Sequence, residues 1–313
     1  MPASIDLVIP AFNAAGVIEQ TIRRISEQKL PDDCLFHVYV LDDASTDDTP
    51  NVLARLQKQH DFLRVVRSDR NVGRGEARNR GAAAGFGSII VMCDADCRYT
   101  RDDALLEFVG DIEQGADAVI GVVELEGRGF WPRYTNSVIP DRIEDYERQG
   151  LVGFGATPNM AIRRSTFEAL GGFAGEYRHY GFEDKDFLVR LEKLSDGISL
   201  RPDIRASHDD DLRLATVCRK FAESGELTAP IFRAQHPEEY ARLPYTRCDA
   251  RGGAVRKMVR VASKPISLML QWIGSLVLVL PLPFRLQRAF VRAALCAAYF
   301  HGTARHLRSS SNR

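Results

Sequence analysis

Three short clusters in the first hundred residues have the composition of a site for a phosphorylated ligand. Asp94-Ala95-Asp96 follows the apolar run IIVMC at 89–93. In an extended chain, residues two apart face the same side, so both carboxylates point one way. Two hard oxygen donors suit Mg2+ or Mn2+, with a phosphate completing the shell. Such triplets are common in turns; what distinguishes this one is its place at the end of an apolar strand. Asp42-Asp43-Ala44-Ser45-Thr46-Asp47 closes the β-rich run FHVYVL at 36–41. A carboxylate there can accept hydrogen bonds from a ring N–H or a ribose hydroxyl, and Asp43 is placed for it. The competing reading is a helix N-cap for the segment from Thr49. The two are compatible, with 45–48 capping and Asp43 binding. Asn71-Val72-Gly73-Arg74-Gly75 places glycines before an Ala-rich helical stretch that carries Arg78. Backbone N–H groups and arginines at such a helix start can face a diphosphate. The spacing is neither that of a P-loop nor that of a dinucleotide fingerprint.

These clusters need a frame, and the apolar pattern supplies one. Strands are expected at 5–10, 36–41, 63–66 and 89–93. Helices are expected at 17–28 (Val17, Ile18, Thr21, Ile22 and Ile25 share a face), 49–60 and 75–85. Alternation of this kind implies an α/β fold with a mostly parallel sheet. Ligands of such sheets bind outside the carboxyl ends of the strands. The polar clusters at 10–13, 42–43 and 94–96 fall at those ends. No internal repeat is present.

Taken together, the segments resemble the family 2 glycosyltransferases of GT-A fold. The family's opening strand ends in a PAYN-like element, here PAFN at 10–13. A D-D-x-S-x-D-x-T element follows, here DDASTDDT at 42–49. Then come N-x-G-x-x-x-A-R-N-x-G, here NVGRGEARNRG at 71–81, and DxD at 94–96. The resemblance is close over about residues 4–125 and looser beyond. Gly155 to Arg164 resembles an acceptor-side segment containing Asn159, and Gly171-Gly172-Phe173 resembles the family's GGF turn. Tyr180-Gly181-Phe182-Glu183-Asp184-Lys185-Asp186 resembles its G-x-E-D-x-D element, shared with galactosyltransferase-type relatives. Phe182 departs from the small residue frequent there, which bears on acceptor shape more than on chemistry.

The resemblance implies a Rossmann-like sheet and donor contacts at Pro10, Ala11, Phe12, Asn13, Asp43, Asn71, Gly73, Arg78, Asp94 and Ala95. It implies Mn2+ or Mg2+ on Asp94 and Asp96, joined by His208 after a strand at 198–207. Acceptor contacts would fall to Asn159 and Glu183, with Asp184 as the base beside Glu183. Arg219 and Lys220 would lie near the diphosphate. Inverting transfer needs such a base, placed opposite the departing nucleotide, and positive charge on the leaving diphosphate. The plainer reading of 183–186 is the acidic first turn of a helix at 187–194. For 209–211 it is a solvated helix start, and for Arg219 and Lys220 an amphipathic helix surface. Trp131, Tyr134 and Tyr146 suit either stacking on an acceptor sugar or a place in the core.

The expected activity is therefore metal-dependent inverting transfer from a nucleotide-diphosphate sugar, expected to be UDP-linked. The acceptor would be a hydroxyl of a glycan or lipid-linked glycan. One rival is a polyprenyl-phosphate sugar synthase, whose phosphate acceptor needs no base. The other is a membrane-tethered sugar-nucleotide-binding scaffold. The absence of a QxxRW element and of several long apolar spans argues against a processive, product-extruding synthase.

Composition adds where the reaction takes place. The 313 residues carry 42 basic and 42 acidic side chains, 45% hydrophobic and 27% charged residues. That excludes a wholly disordered, collagen-like or disulfide-dense chain. The net charge of zero is a cancellation: the first 249 residues sum to −11 and the last 64, without one Asp or Glu, to +11. Residues 265–284 lack formal charge and are bracketed by Lys264 and Arg285. Twenty apolar residues just span a bilayer core, but Pro281 and Pro283 break the helix, and 289–304 contains Arg292. A helical hairpin lying in or dipping into an anionic membrane surface is expected, on the cytoplasmic face. Nucleic acid is not an expected partner. The expected organisation is a catalytic domain at 1–210, a helical and basic linker region at 211–264 and the apolar basic hairpin at 265–313. No signal peptide is read at the N-terminus, and the six cysteines are expected to be reduced thiols.

Overall fold

The computed structural model describes residues 3–151, 157–208 and 212–311. The chain forms two compact units. The first comprises Met1–Gly127, Phe154–Arg178 and Phe187–Asp210; the second comprises Arg128–Gly153, His179–Asp186 and Asp211–Arg313.

The first unit is an α/β layer structure, and its apolar runs form the expected parallel half. Strands β1 (Ser4–Ala11), β2 (Leu35–Asp42), β3 (Leu63–Arg67) and β4 (Ile89–Cys93) pair in parallel, in the order β3-β2-β1-β4. Ile5 to Ile9 are all buried, as expected of a strand covered on both faces. Helices α1 (Ile18–Ser26), α2 (Thr49–Gln59), α3 (Arg74–Ala83) and α4 (Ala104–Glu113) belong to the same unit. Helix α1 buries Ile18, Thr21, Ile22 and Ile25, the expected 3.6-residue stripe.

The other half of the sheet was mostly not legible in the pattern. It holds β5 (Cys97–Tyr99), β6 (Ala118–Leu125), β7 (Asn159–Arg163) and β8 (Ile198–His208), in the order β7-β6-β8-β5 beyond β4. Strand β7 runs antiparallel to both β4 and β6, and β5 antiparallel to β8, so the sheet is mixed. The β6–β8 ladder is parallel and skips register between Ile120 and Val122.

One buried ion pair ties the halves together. Asp6 on β1 is 1% exposed. Its Oδ2 accepts from the Gly87 amide at 2.5 Å and from Arg164 Nη2 at 2.7 Å. Arg164 opens helix α7 (Arg164–Leu170) and also donates to the carbonyls of Gly87 (2.6 Å) and Ala82 (2.9 Å).

The second unit is helical. It contains α5 (Phe130–Asn136), α6 (Ile139–Gln149) and the first turn of α8 (Glu183–Leu194). Helix α9 (Leu214–Glu223) runs through a π-helical turn, Ser224–Thr228, into α10 (Ala229–Gln235), followed by α11 (Pro237–Arg242) and α12 (Ala254–Val259). The last two helices are α13 (Ser263–Val279) and α14 (Phe284–Ser311), joined across Pro281 and Pro283. Close approach rests on two glycines. A Cβ on Gly225 would lie 2.7 Å from the Tyr299 carbonyl, and one on Gly302 would strike the Ala222 carbonyl. Tyr240 OH donates to Asp249 Oδ2 (2.7 Å) and meets Tyr299 OH (2.9 Å).

As expected from Pro281 and Pro283, α13 ends at Val279, and among the described residues no helix is long and apolar enough to cross a membrane. One expectation is corrected here. Cys248 and Cys296 are joined in a disulfide, while Cys34, Cys93, Cys97 and Cys218 are free. The partners stand 48 positions apart, so no local spacing announced the pair.

Two outcomes follow from these contacts. Arg164→Met leaves the Asp6 charge buried without its cation and should cost about 3–5 kcal/mol in urea unfolding. The double variant Asp6→Leu/Arg164→Met should recover part of that loss. In the second unit, burial and then the Arg142 guanidinium lower the Lys185 ammonium to about 8, against the opposing pull of Asp184 and Asp145. The folded value lies below the unfolded one, so this group's contribution to stability rises with pH between about 8 and 10. Lys185→Met should flatten that rise in unfolding midpoints measured across the range.

Candidate active site

The carboxyl ends of β1 and β2 are stitched by side chains that look like ligand groups in the sequence. Asn13, at φ 53°, accepts at Oδ1 from the amides of Thr46 (2.8 Å) and Asp47 (3.3 Å). Its own amide donates to Ser45 Oγ (3.0 Å), and the Ala14 amide to Thr49 Oγ1 (2.8 Å). The capping reading of 45–48 holds at Asp47, whose Oδ1 accepts from the Thr49 amide (3.0 Å), while Asn13 serves the amides of the β2–α2 turn from across the loop. Pro10 and Ala11 pair with Leu41 and Asp42. Phe12 beside them is 50% exposed, an aromatic face left open at the strand end.

Asp43 is buried, and its two oxygens hold the next loop. Oδ1 accepts from the Val72 amide (2.8 Å) and Oδ2 from the Gly73 amide (3.0 Å), while Asn71 Nδ2 reaches the Asp43 carbonyl (3.4 Å). A carboxylate has about four acceptor positions, so these bonds leave capacity for a ligand. Gly73 has φ 86°, and a Cβ there would lie 2.7 Å from the Arg178 carbonyl. The turn before α3 therefore requires glycine twice over, for conformation and for space.

Arg78, on α3, is fully buried. Its Nη2 donates to Asp94 Oδ1 at 2.6 Å, and its guanidinium lies 5.3 Å from the Phe173 ring centroid. Phe173 stacks on Phe187 at 4.3 Å, and its amide donates to Asn79 Oδ1 (2.8 Å). The GGF turn thus packs against the helix that braces the first carboxylate of the DxD. Ala95 is buried, its carbonyl accepting from Thr21 Oγ1 (2.8 Å).

The second carboxylate meets a histidine. Asp96 Oδ2 lies 2.8 Å from His208 Nε2, and β5 and β8 pair Cys97 with His208. Burial alone would raise the Asp96 carboxyl, but the His208 hydrogen bond and charge outweigh it and hold it below the usual carboxylate range. Among the described residues, no three His, Cys, Asp or Glu side chains gather as a ready metal cage. The donor chemistry nevertheless fits: a carboxylate and an imidazole in contact, beside a second carboxylate, suit Mn2+ once a diphosphate adds oxygens. Cys93 and Cys97 do not extend the set; burial raises both thiols far above the ordinary value.

Asn159 is corrected. Its side chain is 1% exposed, and Nδ2 donates to the carbonyls of Val122 (3.0 Å) and Ile204 (2.9 Å). It fills the place where the β6–β8 ladder skips register, inside the sheet, where an acceptor does not reach. Gly155 and Ala156 from the same segment lie outside the described residues, as do Asp209, Asp210 and Asp211.

The remaining candidates belong to the second unit. Phe182 has φ 68° and packs against Phe232 (5.0 Å), Tyr245 (5.5 Å) and Tyr240 (6.1 Å). A bulky residue in this left-handed conformation is uncommon and marks a constrained turn. It leads into α8, where Glu183 is buried and Asp184 half-buried. Asp186 Oδ1 lies 2.8 Å from His236 Nε2, both buried. His236, 50 positions on, carried no local signal. Lys220 Nζ lies 5.3 Å from the Tyr180 ring centroid, and Arg219 is exposed. Trp131 and Tyr134 pack with Phe130 (5.3 and 5.4 Å) against the helical core, which answers to their core reading, and Tyr146 is half-buried on α6.

With this geometry in hand, comparison with known proteins gives a consistent answer. The family model "Glycosyl transferase family 2" matches residues 6–171. A second model, "N-terminal domain of galactosyltransferase", matches 144–208. Glycosyltransferase AglD of Haloferax volcanii is 31% identical over 210 residues, covering 60% of this chain and 31% of its own length. A beta-monoglucosyldiacylglycerol synthase of Nostoc is 27% identical over 195 residues, covering 60% of this chain and 41% of its own. The chain therefore spans well under half the length of these relatives. Among solved structures, the mannosyltransferase PcManGT of Pyrobaculum calidifontis, in complex with GDP-Man and Mn2+, aligns at TM-score 0.60 and 20% identity. That alignment covers 96% of this chain and 87% of that one. The sheet, the strand-end clusters and a family model matching over half of the chain converge: the chain has a GT-A fold and belongs to glycosyl transferase family 2.

Proposed function

We propose that the chain is a metal-dependent inverting glycosyltransferase. It would move a sugar from a nucleotide-diphosphate donor, UDP-linked, to a hydroxyl of a glycan or lipid-linked glycan. The observation that carries the reading is the pair of stations at the DxD: Asp94 braced by buried Arg78, and Asp96 in contact with His208. Mn2+ in complex with GDP-Man in the structural neighbour supports the choice of metal. The diacylglycerol glycolipid in one relative's name supports an acceptor at a membrane.

Each group then has a task. Asp96 and His208, with Asp94, hold Mn2+ or Mg2+, which when bound offsets charge on the leaving diphosphate. Phe12 stacks on the base, the Asp43-braced loop of Asn71 and Gly73 lines the nucleotide, and Arg78 holds the Asp94 side chain in place. Arg219 and Lys220 add positive charge towards the diphosphate. Asp184 takes the proton of the attacking hydroxyl as the new bond forms at the anomeric carbon. The bond from that carbon to the diphosphate oxygen breaks, and the nucleoside diphosphate leaves with the electron pair. Glu183 beside it contacts the acceptor. Residues 1–210 carry the transfer, and 211–264 link them to 265–313, which docks on the cytoplasmic membrane face in surface polysaccharide or glycolipid assembly.

Two measurements test the reading. Asp184→Asn should lower kcat for transfer by about 10²- to 10⁴-fold with an unchanged unfolding midpoint; near-normal turnover would point instead to a lipid-phosphate acceptor, which needs no base. Asp96→Asn should abolish Mn2+-dependent release of nucleotide from a donor panel, and wild-type protein that releases none with any donor would be a scaffold.

A further inference from the structure

Helix α13 is apolar on two opposite faces, and the fold uses only one. Ser263, Ser267, Gly274 and Val277 are buried. Leu270 and Leu278 pack on the cluster formed by Leu214, Cys218 and Val291 with its neighbours on α14. A Cβ on Gly274 would lie 2.7 Å from Leu214, so this face is in close contact with its own unit. The other face carries Leu268, Met269, Trp272, Leu276 and Val279, from 48% to 84% exposed. The spacing 268, 272, 276, 279 is one continuous helical stripe. An apolar patch of this kind marks a surface that something covers.

Charge says what covers it. Lys264 stands exposed at the head of the stripe and Arg285 exposed just past its end. Residues 250–313 contain no Asp or Glu and eleven basic side chains. A second copy would bring two such tails together and place like charges in contact. Anionic lipid answers both features, accepting the apolar stripe among acyl chains and the cations at its phosphates. The length of α13 decides the orientation. Its 17 residues make about 25 Å of helix, short of the roughly 30 Å hydrocarbon core. Its inner face is held by α14, so lipid cannot surround it.

We propose that α13 lies in the plane of an anionic membrane surface. Leu268, Met269, Trp272, Leu276 and Val279 are sunk at the acyl boundary, and Lys264 and Arg285 sit at lipid phosphates. This rests on the membrane-side reading of the function and specifies the surface that performs it.

The test uses the full chain and phosphatidylcholine vesicles containing or lacking phosphatidylglycerol. In a Trp131→Phe background Trp272 is the only indole. Its emission should shift to the blue with phosphatidylglycerol vesicles and be quenched by brominated acyl chains. Trp272→Glu/Leu276→Glu should float with the vesicles roughly tenfold more weakly, and Lys264→Gln/Arg285→Gln should lose the preference for the anionic lipid. Unshifted Trp272 emission, or unchanged flotation of the Glu variant, overturns the proposal. So does a wild-type dimer in solution that the Glu variant converts to monomer, since a second copy would then cover the face. Mn2+-dependent nucleotide release without vesicles is read in parallel and should be equal in wild type and the Glu variant. Its absence in wild type would defeat the transferase reading while leaving the vesicle result to stand on its own.

Discussion

The first unit depends on a single constraint: a carboxylate taken out of water must be met by donors or a cation. A buried charge left alone costs several kcal/mol, and five carboxylates in or just past β1, β2 and β4 show how this sheet meets it. Asp6 is met by Arg164, Asp42 by Arg67 at 3.0 Å and Asp43 by two loop amides. Asp94 is met by Arg78, and Asp96 by His208. Asp6 and Asp42 use groups that do not leave, and so they are scaffold; Asp43 braces a loop and keeps acceptor capacity for a ligand. Asp96 and His208 are only part-buried and hold each other. A divalent cation can replace that mutual contact through the same donor types, without exposing an unpaired charge elsewhere.

This partition explains which site residues could be read from the chain. Asp94 and Asp96 were legible because they follow a buried strand five residues long, although the chain turns at Ala95-Asp96 instead of continuing the strand's alternation. Arg78 was legible as a basic residue at a helix start, but its partner was not. Its pairing with Asp94 depends on α3 packing over β1, the neighbour of β4 in the sheet, a tertiary fact. Asn13 and Asn159 show the opposite case. Both are polar residues in motif positions, and both spend their amides on backbone: Asn13 on the β2–α2 turn, Asn159 on the skipped register between β6 and β8. A short polar side chain that can bridge two backbone groups looks in sequence like one that binds a ligand. For Asn159 the difference is burial, which a one-dimensional pattern does not carry; Asn13 stays exposed.

The fold divides in the same way. The parallel half, β3-β2-β1-β4, was legible because strands buried on both faces read as unbroken apolar runs. Strand β7, with Asn159 at its start, and the short β5 carry no such run. They join the sheet through pairing partners far away in sequence. The disulfide and the Asp186–His236 contact in the second unit are likewise long-range pairings. No periodicity encodes them.

The charge of the last 64 residues illustrates a different relation between sequence and structure. The absence of acid there was visible from the start, and Pro281 and Pro283 marked the uncharged run at 265–284 as a broken helix. The structure adds which face of that helix is left over. Packing of α13 along α14 takes up one apolar face, and the turn through Pro281 and Pro283 ends the helix before it is long enough to cross. A helix that is apolar all round, yet has one face committed to its own fold, has only the other face to offer. On the proposed reading its hydrophobicity serves attachment to a surface, and the surrounding positive charge selects which kind.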